Sequence, residues 1–167
     1  YLLIPENSWV TNLSDLKGTT LCYPNKLSTT GYALPRAYLR EQGFDPDNDF
    51  KLHESGNHHQ VMRDLIAGVC DVGGTYNGAH LTASSVGINA AQLRVLTITG
   101  RSPHDALVAG ATAPAPVVEA LREALLNFQP LRDAGVEHVG KMERITGFSR
   151  GFDSDFDTIR KAREESK

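Results

Sequence analysis

Three consecutive hydroxyl-bearing residues, Ser28, Thr29 and Thr30, stand directly before Gly31 and a segment of helical character. Hydroxyl groups and the unpaired N–H groups at the start of a helix suit a small tetrahedral oxyanion, since the helix dipole also places positive charge there. Ordinary capping of a helix by Ser or Thr accounts for the same residues. The pattern therefore predicts either an anion site or a helix cap.

A second polar loop, Ser55-Gly56-Asn57-His58-His59, precedes the next helical segment. An imidazole at the start of that helix can donate a hydrogen bond to the same anion, so His58 and Asn57 are candidate ligand-binding residues. Transition-metal binding by His53, His58 and His59 is a competing interpretation. However, the spacing of these histidines matches no standard metal-ligand set, and no acidic residue is placed to complete one. We therefore predict no metal site. Histidines that are simply exposed to solvent in a loop remain the alternative to a ligand-binding role.

A third polar segment, Gly73-Gly74-Thr75-Tyr76-Asn77, follows a β-like run and offers a ring and an amide for a wall of the same site. Close packing against a neighbouring element is an alternative reason for its glycines. Tyr76 is the candidate ligand-binding residue of this segment. The sequence contains no phosphate-loop, dinucleotide-binding or G-x-S-x-G signature. We therefore predict no nucleotide cofactor and no catalytic residues.

Strand-like and helical segments alternate along the chain, which is typical of an α/β fold with a doubly wound, mainly parallel sheet. Ligands of such sheets bind beyond the carboxyl ends of the strands, where all three polar segments lie. Pro35 fits only the first turn of a helix, which therefore begins near residues 30–34 and ends before Gly43. The predicted strands cover residues 1–5, 19–24, 50–54, 69–75 and 93–98, and the further helices cover 60–67, 79–86 and 117–127.

Composition limits the class of protein and its partners. The 167 residues include 17 Lys plus Arg and 20 Asp plus Glu, and the net charge of −3 disfavours nucleic acid as a partner. No apolar run approaches the roughly 20 residues needed to cross a bilayer, and no signal-peptide pattern opens the chain. Cys22 and Cys70 lack metal-binding spacing, so we predict two buried free thiols, with a bridge between neighbouring strands as the alternative.

Four segments together resemble phosphate/phosphonate-type periplasmic substrate-binding proteins: L-S-D-L-K-G at 13–18, S-T-T-G-Y at 28–32, S-G-N-H at 55–58 and C-D-V-G-G at 70–74. The resemblance runs in order from about Leu2 to Asn127. It implies a type II, two-lobed periplasmic-binding-protein-like fold and a non-enzymatic component of an ABC importer that closes over a phosphonate, phosphite or phosphate ion. It also implies that residues 28–30 form the oxyanion loop and that His58 hydrogen-bonds the ligand. Gly31 completes the set of candidate ligand-binding residues.

Two departures from the family qualify this resemblance. Where family members often hold the amino group of an aminoalkylphosphonate with an Asp, this sequence has Tyr76, which disfavours an amine-bearing ligand. The resemblance further implies that most of the first lobe is absent from this sequence. On that expectation, a crossover strand and turn lie at 1–11, the second lobe lies at 12–104, and a return crossover with a C-terminal helical segment of an incomplete first lobe lies at 105–167.

The resemblance also implies the partners and the location. A membrane permease of the ABC transporter and a small oxyanion are the expected partners, and the expected location is periplasmic or extracytoplasmic. Exposed apolar surface on the helix from Val117 favours self-association through the incomplete lobe. The alternative function is the same fold used as the ligand-sensing input domain of a signalling receptor or kinase.

Overall fold

The computed structural model of the chain describes residues 1–140 and 144–166, which fall into two compact units. The first unit comprises Tyr1–Ser102 and the described residues from Phe156 onward, and the second comprises Pro103–Asp155. The strands, all in the first unit, are β1 Leu2–Pro5, β2 Thr20–Tyr23, β3 Lys51–Glu54, β4 Val72–Gly74 and β5 Leu93–Thr97.

Helices of three kinds connect and cover these strands. The described α-helices are α1 Leu34–Glu41, α2 His58–Ile66, α3 Asn77–Leu81, α4 Ala115–Asn127, α5 Pro130–Ala134 and α6 Asp157–Glu165. Short 3-10 helices cover Leu13–Leu16, Ala83–Val86, Ala90–Gln92 and Asp153–Phe156, and a π-helical turn covers Thr29–Ala33. Among the described residues, no helix combines the length and the apolar character that crossing a membrane requires.

The sheet has the strand order β3-β2-β4-β1-β5. β2 pairs in parallel with both β3 and β4, whereas β1 pairs antiparallel with both β4 and β5. Four strands therefore run in one direction, and β1 runs against them. Helix α1 joins β2 to β3 and helix α2 joins β3 to β4, which are the crossovers that parallel neighbours require. The predicted α/β fold with a mainly parallel sheet is confirmed.

Alternate side chains of β1 show which helix covers which face of the sheet. Leu2 and Ile4 pack in one cluster with Leu39 of α1, and all three are fully buried. Leu3 packs in a second cluster with Met62 of α2, and both are fully buried. Since successive strand residues point to opposite faces, α1 and α2 cover opposite faces, and the predicted doubly wound arrangement is confirmed. Burial of each such side chain contributes about 1.5–3 kcal/mol.

Two predicted elements differ from the structure by more than one or two residues at their ends. The strand predicted over 69–75 covers only Val72–Gly74, because Cys70 and Asp71 lie in the loop that leads into it. The predicted helix over 79–86 is interrupted at Thr82, whose hydroxyl donates a hydrogen bond of 2.7 Å to the carbonyl oxygen of Gly78. This bond offers the backbone an alternative to a regular helix, so α3 ends and a 3-10 helix follows.

The cysteines correct the prediction of two free thiols. Cys22 and Cys70 form a disulfide, with their Cα atoms 5.8 Å apart, a normal separation for such a bond. Cys22 lies on β2, and Cys70 lies just before β4, which pairs in parallel with β2. The pairing of these two strands brings the cysteines together. Which strands are neighbours depends on the order of strands in the sheet, which a local sequence pattern does not give. The sequence therefore left open whether the two cysteines are free thiols or form a bridge.

A glycine-to-glycine contact seats the start of the π-helical turn on the end of β4. A Cβ atom on Gly74 would overlap the carbonyl oxygen of Gly31, and a Cβ atom on Gly31 would collide with the ring of Pro24. The same Cβ atom on Gly31 would lie 3.0 Å from the carbonyl oxygen of Gly74. Neither glycine has a positive φ, so the missing side chain, and not backbone freedom, is what this approach requires.

The second unit is built on α4 and α5. Helix α4 begins two residues before its predicted start, so Pro116 lies in its first turn, where proline is tolerated because the N–H that it lacks would be unpaired. None of the residues of α4 is buried, and Val117 and Leu121 are 60 % and 58 % exposed. The domain boundaries given above stay a prediction.

We predict that the disulfide supplies a large part of the stability of the first unit. The cysteines are separated by 48 residues, and closing a loop of that length in the unfolded chain corresponds to about 4 kcal/mol in the chain-entropy account. The Cys22→Ala/Cys70→Ala variant is therefore expected to lose about 2–5 kcal/mol of unfolding free energy in urea denaturation. Wild-type protein with its disulfide reduced serves as the control and is expected to unfold at a similarly low urea concentration. Equal midpoints for the oxidised and reduced protein would contradict this.

We also predict that Gly74→Ala destabilises the protein and displaces the π-helical turn. The new methyl group meets a backbone oxygen, which cannot move aside as the end of a flexible side chain can, so a loss of about 1–3 kcal/mol is expected. Gly110→Ala is the matched control, because a Cβ atom at Gly110 meets nothing within 4 Å. Urea denaturation measures both. Equal midpoints for the two variants would show that the close approach is unimportant.

Candidate functional site

Ser28 caps the π-helical turn, which continues directly into α1. Its Oγ accepts a hydrogen bond of 3.0 Å from the N–H of Gly31, as a capping residue does. Its carbonyl oxygen accepts from the N–H groups of Tyr32 at 3.1 Å and Ala33 at 3.0 Å. The bond from Ala33 spans five residues and gives the turn its π geometry, which is frequent at functional sites. The structure thus gives Ser28 the capping role that the sequence allowed.

His58, the first residue of α2, joins Ser28 to a third segment. Its Nε2 lies 3.4 Å from Ser28 Oγ, and its Nδ1 lies 3.0 Å from Thr75 Oγ1. Thr75 is fully buried and follows β4 directly. The three side chains therefore come from the segments that follow β2, β3 and β4, which are neighbours in the sheet. This is the carboxyl-end edge at which open α/β sheets bind ligands.

Tyr76 forms the wall of this cluster. Its ring packs edge-on against the imidazole of His58, with centroids 4.8 Å apart and an interplanar angle of 80°. Asn57 lies beside the cluster as the N-cap of α2, where its side-chain oxygen accepts a hydrogen bond of 2.9 Å from the N–H of Gln60. Gly31 is a buried residue of the π-helical turn itself. The structure thus brings Ser28, His58 and Tyr76 together and places Asn57 and Gly31 as supports around them.

His58 is electrically neutral at physiological pH. Burial lowers the pKa of His58 from 6.5 to about 4, with smaller contributions from nearby His59 and from the amino group of Tyr1. A neutral imidazole has one N–H donor and one acceptor nitrogen. The cluster therefore offers hydroxyl groups and one imidazole N–H to a ligand, and no charge of its own.

The three consecutive hydroxyls face different partners. Whereas Ser28 faces His58, Thr29 Oγ1 accepts a hydrogen bond of 3.2 Å from the guanidinium of Arg163 on α6. Thr30 is half-buried in the same turn. Sequence reasoning missed Arg163, because the C-terminal segment is polar and weakly patterned. The available signal was the spacing of Ile159 and Ala162, one helical turn apart on the same side of α6.

Sequence reasoning also left Thr75 within a polar run without a role of its own. A signal existed, since Thr75 is the first residue after the paired glycines at the end of a strand.

Two of the histidines that the sequence offered as candidate metal ligands contact different partners in the structure. His53 Nε2 lies 3.5 Å from a carboxylate oxygen of Asp64, whereas His58 contacts Ser28 and Thr75.

Several solved structures share this fold. The PhnD1 protein of Prochlorococcus marinus (MIT 9301), solved with methylphosphonate, matches 98 % of this chain and 65 % of its own length, at 14 % identity and a TM-score of 0.70. A binding protein component of an ABC phosphonate transporter from Pseudomonas aeruginosa matches 99 % of this chain and 56 % of its own length, at 20 % identity and a TM-score of 0.70. The XAC2383 protein of Xanthomonas citri, solved with ATP, matches 99 % and 64 %, at 21 % identity and a TM-score of 0.74.

These similarities establish the fold, and the predicted periplasmic-binding-protein-like architecture is confirmed. The chain spans less than two thirds of the length of each of these proteins. The profile of the family described as "ABC transporter, phosphonate, periplasmic substrate-binding protein" matches residues 1–156, nearly the whole chain. The match contains all the segments that carry the resemblance noted in the sequence. The chain therefore belongs to the family of periplasmic phosphonate-binding proteins of ABC transporters.

Proposed function

We propose that this chain is part of a solute-binding component that reversibly binds a small phosphorus oxyanion, namely a phosphonate, phosphite or phosphate ion, for an ABC importer. The observation that carries the proposal is the Ser28–His58–Thr75 cluster at the start of the helical segment that begins at Thr29. Hydroxyl groups, an imidazole and the N–H groups of a first helical turn all donate hydrogen bonds to an oxyanion. The N-terminal end of the helix dipole adds partial positive charge.

We propose that neutral His58 donates to the ligand from Nε2, while Thr75 contacts the opposite nitrogen of the ring. If the Thr75 hydroxyl donates to Nδ1, the proton of the imidazole lies on Nε2 and points towards Ser28. A phosphoryl oxygen beside Ser28 then accepts from both Nε2–H and the Ser28 hydroxyl. Hydrogen bonds to an ionised acceptor are about twice as strong as those between neutral groups, so this arrangement favours an anion without a buried cation.

The ligand we propose lacks an amino group. Tyr76 stands where the family often has an Asp that holds the amine of an aminoalkylphosphonate, and its aromatic ring against His58 offers no carboxylate. A methyl substituent or a hydrogen on phosphorus fits an aromatic wall better than an ammonium group that would need its own anionic partner. Methylphosphonate, which the Prochlorococcus marinus protein holds in its solved structure, is therefore our first candidate.

Family membership also supports the partners and the location of the whole protein. We propose the membrane permease of an ABC transporter as its partner and the periplasm as its location. Self-association through α4 stays a prediction, and the exposure of Val117 and Leu121 is in keeping with it.

The direct test of the proposed ligand binding is calorimetric titration of the protein with methylphosphonate, phosphite and phosphate, with 2-aminoethylphosphonate and sulfate as controls. Binding of the first three ligands and not of the controls would support the proposal. The absence of a binding heat with every ligand would refute it.

Removing two of the hydroxyls is expected to weaken binding while the fold persists. We predict that Ser28→Ala/Thr30→Ala lowers the affinity for methylphosphonate at least about tenfold, since each lost charge-assisted hydrogen bond removes about 1.5–3 kcal/mol. Loss of the cap alone costs only about 1 kcal/mol of stability, so the variant still folds. Ser84→Ala, at an exposed position in a 3-10 helix, is the control. Calorimetry gives the affinities, and equal affinity for wild type and double variant would exclude this turn as the site.

His58 gives the folded protein a pH dependence of known sign. Its pKa is about 4 in the folded state and 6.5 unfolded, so the unfolded chain binds a proton first as the pH falls. The resulting contribution to stability is present above pH 6.5 and is lost progressively between pH 6.5 and about 4. We predict that His58→Asn weakens the dependence of the urea midpoint on pH across this window.

The exposed His104 supplies the control, since His104→Asn is expected to retain the wild-type dependence. The comparison uses the change in midpoint between two pH values, so any general loss of stability in the variant cancels. An undiminished slope in His58→Asn would show that His58 protonates in the folded protein as readily as in the unfolded chain.

A further inference from the structure

Helix α6 rests against the oxyanion loop, defined here as residues 28–30. Ala162 of α6 is 3 % exposed and packs in a cluster with Leu34 and Ala37 of α1. Arg163, the next residue, donates hydrogen bonds to the carbonyl oxygen of Leu27 and to Thr29 Oγ1. The guanidinium therefore bridges the residues on either side of Ser28. The family profile ends at residue 156, before α6 begins.

Arg163 brings a full positive charge to a loop that otherwise lacks one. In the described part of the chain, the side chain that hydrogen-bonds Ser28 from outside the turn is His58, whose pKa of about 4 leaves it neutral. The guanidinium stays protonated at any physiological pH. A cavity of about 370 Å³ beside the loop is lined by Lys26, Tyr32, Arg163 and Ser166, so a second cation faces the same space. Positive charge beside the oxyanion loop therefore comes from Arg163 of α6 and from Lys26, which precedes the loop.

We infer that Arg163 is a specificity-determining residue that makes the site prefer a doubly charged phosphonate to a singly charged anion of the same shape. This inference rests on the proposed function. Neutral hydroxyl and imidazole donors distinguish the charge of a tetrahedral oxyanion only weakly. A fixed guanidinium interacts with the total charge of the ligand, so its attraction for a dianion is about twice that for a monoanion at the same distance. Both contacts with Leu27 and Thr29 use Nη2, so the three N–H donors on Nε and Nη1 lie outside these two contacts.

Methylphosphonate and methanesulfonate form the matched pair of ligands for a test. Both are tetrahedral and carry one methyl group, but at mildly alkaline pH the phosphonate is mainly a dianion and the sulfonate a monoanion. The measured quantity is the ratio of their affinities, obtained by calorimetry with competition for the weaker ligand. Wild-type protein is expected to favour methylphosphonate, and Arg163→Gln is expected to lower the ratio about tenfold, equivalent to about 1.4 kcal/mol. Arg163→Lys, which retains the charge, is expected to keep most of the preference.

The controls separate charge from architecture. Arg160→Gln removes a cation on the same helix that pairs with Asp157, and it is expected to leave the ratio unchanged. Urea denaturation of Arg163→Gln reports whether α6 remains docked. An equal fall in both affinities would mean that Arg163 only holds the loop, and an unchanged ratio would mean that it does nothing for selectivity. Either result overturns the inference while leaving the proposed function intact, whereas wild-type protein that binds neither ligand overturns both.

Discussion

The candidate site depends on how closely the backbone at Gly31 approaches the backbone at Gly74. With no side chain at either position, the start of the helical segment lies directly on the end of the central strand β4. That contact sets the height of Ser28 above the sheet and brings it within reach of His58, whose other nitrogen contacts Thr75 at the end of the same strand. Each polar contact of the cluster is weak alone. The close backbone contact between Gly31 and Gly74 is what aligns these contacts.

The disulfide reinforces the pair of strands, β2 and β4, whose ends carry the candidate site. It joins β2, which leads into the turn at Ser28, to the loop that enters β4. The two strands whose ends carry the site are thus linked covalently as well as by their parallel pairing. The cluster therefore lies at the ends of two strands that are linked by hydrogen bonds and by a disulfide, which suits a site that must hold several donors in fixed positions around one small ion.

The sequence was sufficient for the alternation of strands and helices and for the three polar segments, because these depend on periodicity and on turn-forming residues close together in the chain. It indicated the edge of the sheet at which those segments meet, since parallel strands place their carboxyl ends together. It was insufficient for the bridge between Cys22 and Cys70, which depends on which strands are neighbours. It also left Arg163 unnoticed, because that contact joins positions more than a hundred residues apart, and nothing local to α6 marks the partner.

The π-helical turn has a consequence for how this chain can tolerate changes of length. A π turn amounts to an α-helix with one extra residue, and here that residue lies between the cap at Ser28 and the first buried positions of α1. Deleting a single residue from Thr29–Ala33 would restore regular winding, and it would rotate everything upstream by about 100° relative to α1. Ser28 would then turn away from His58 although every side chain of the cluster was still present. Insertions and deletions in this stretch should therefore be far more damaging than most substitutions, and the number of residues in the turn is itself part of the binding site.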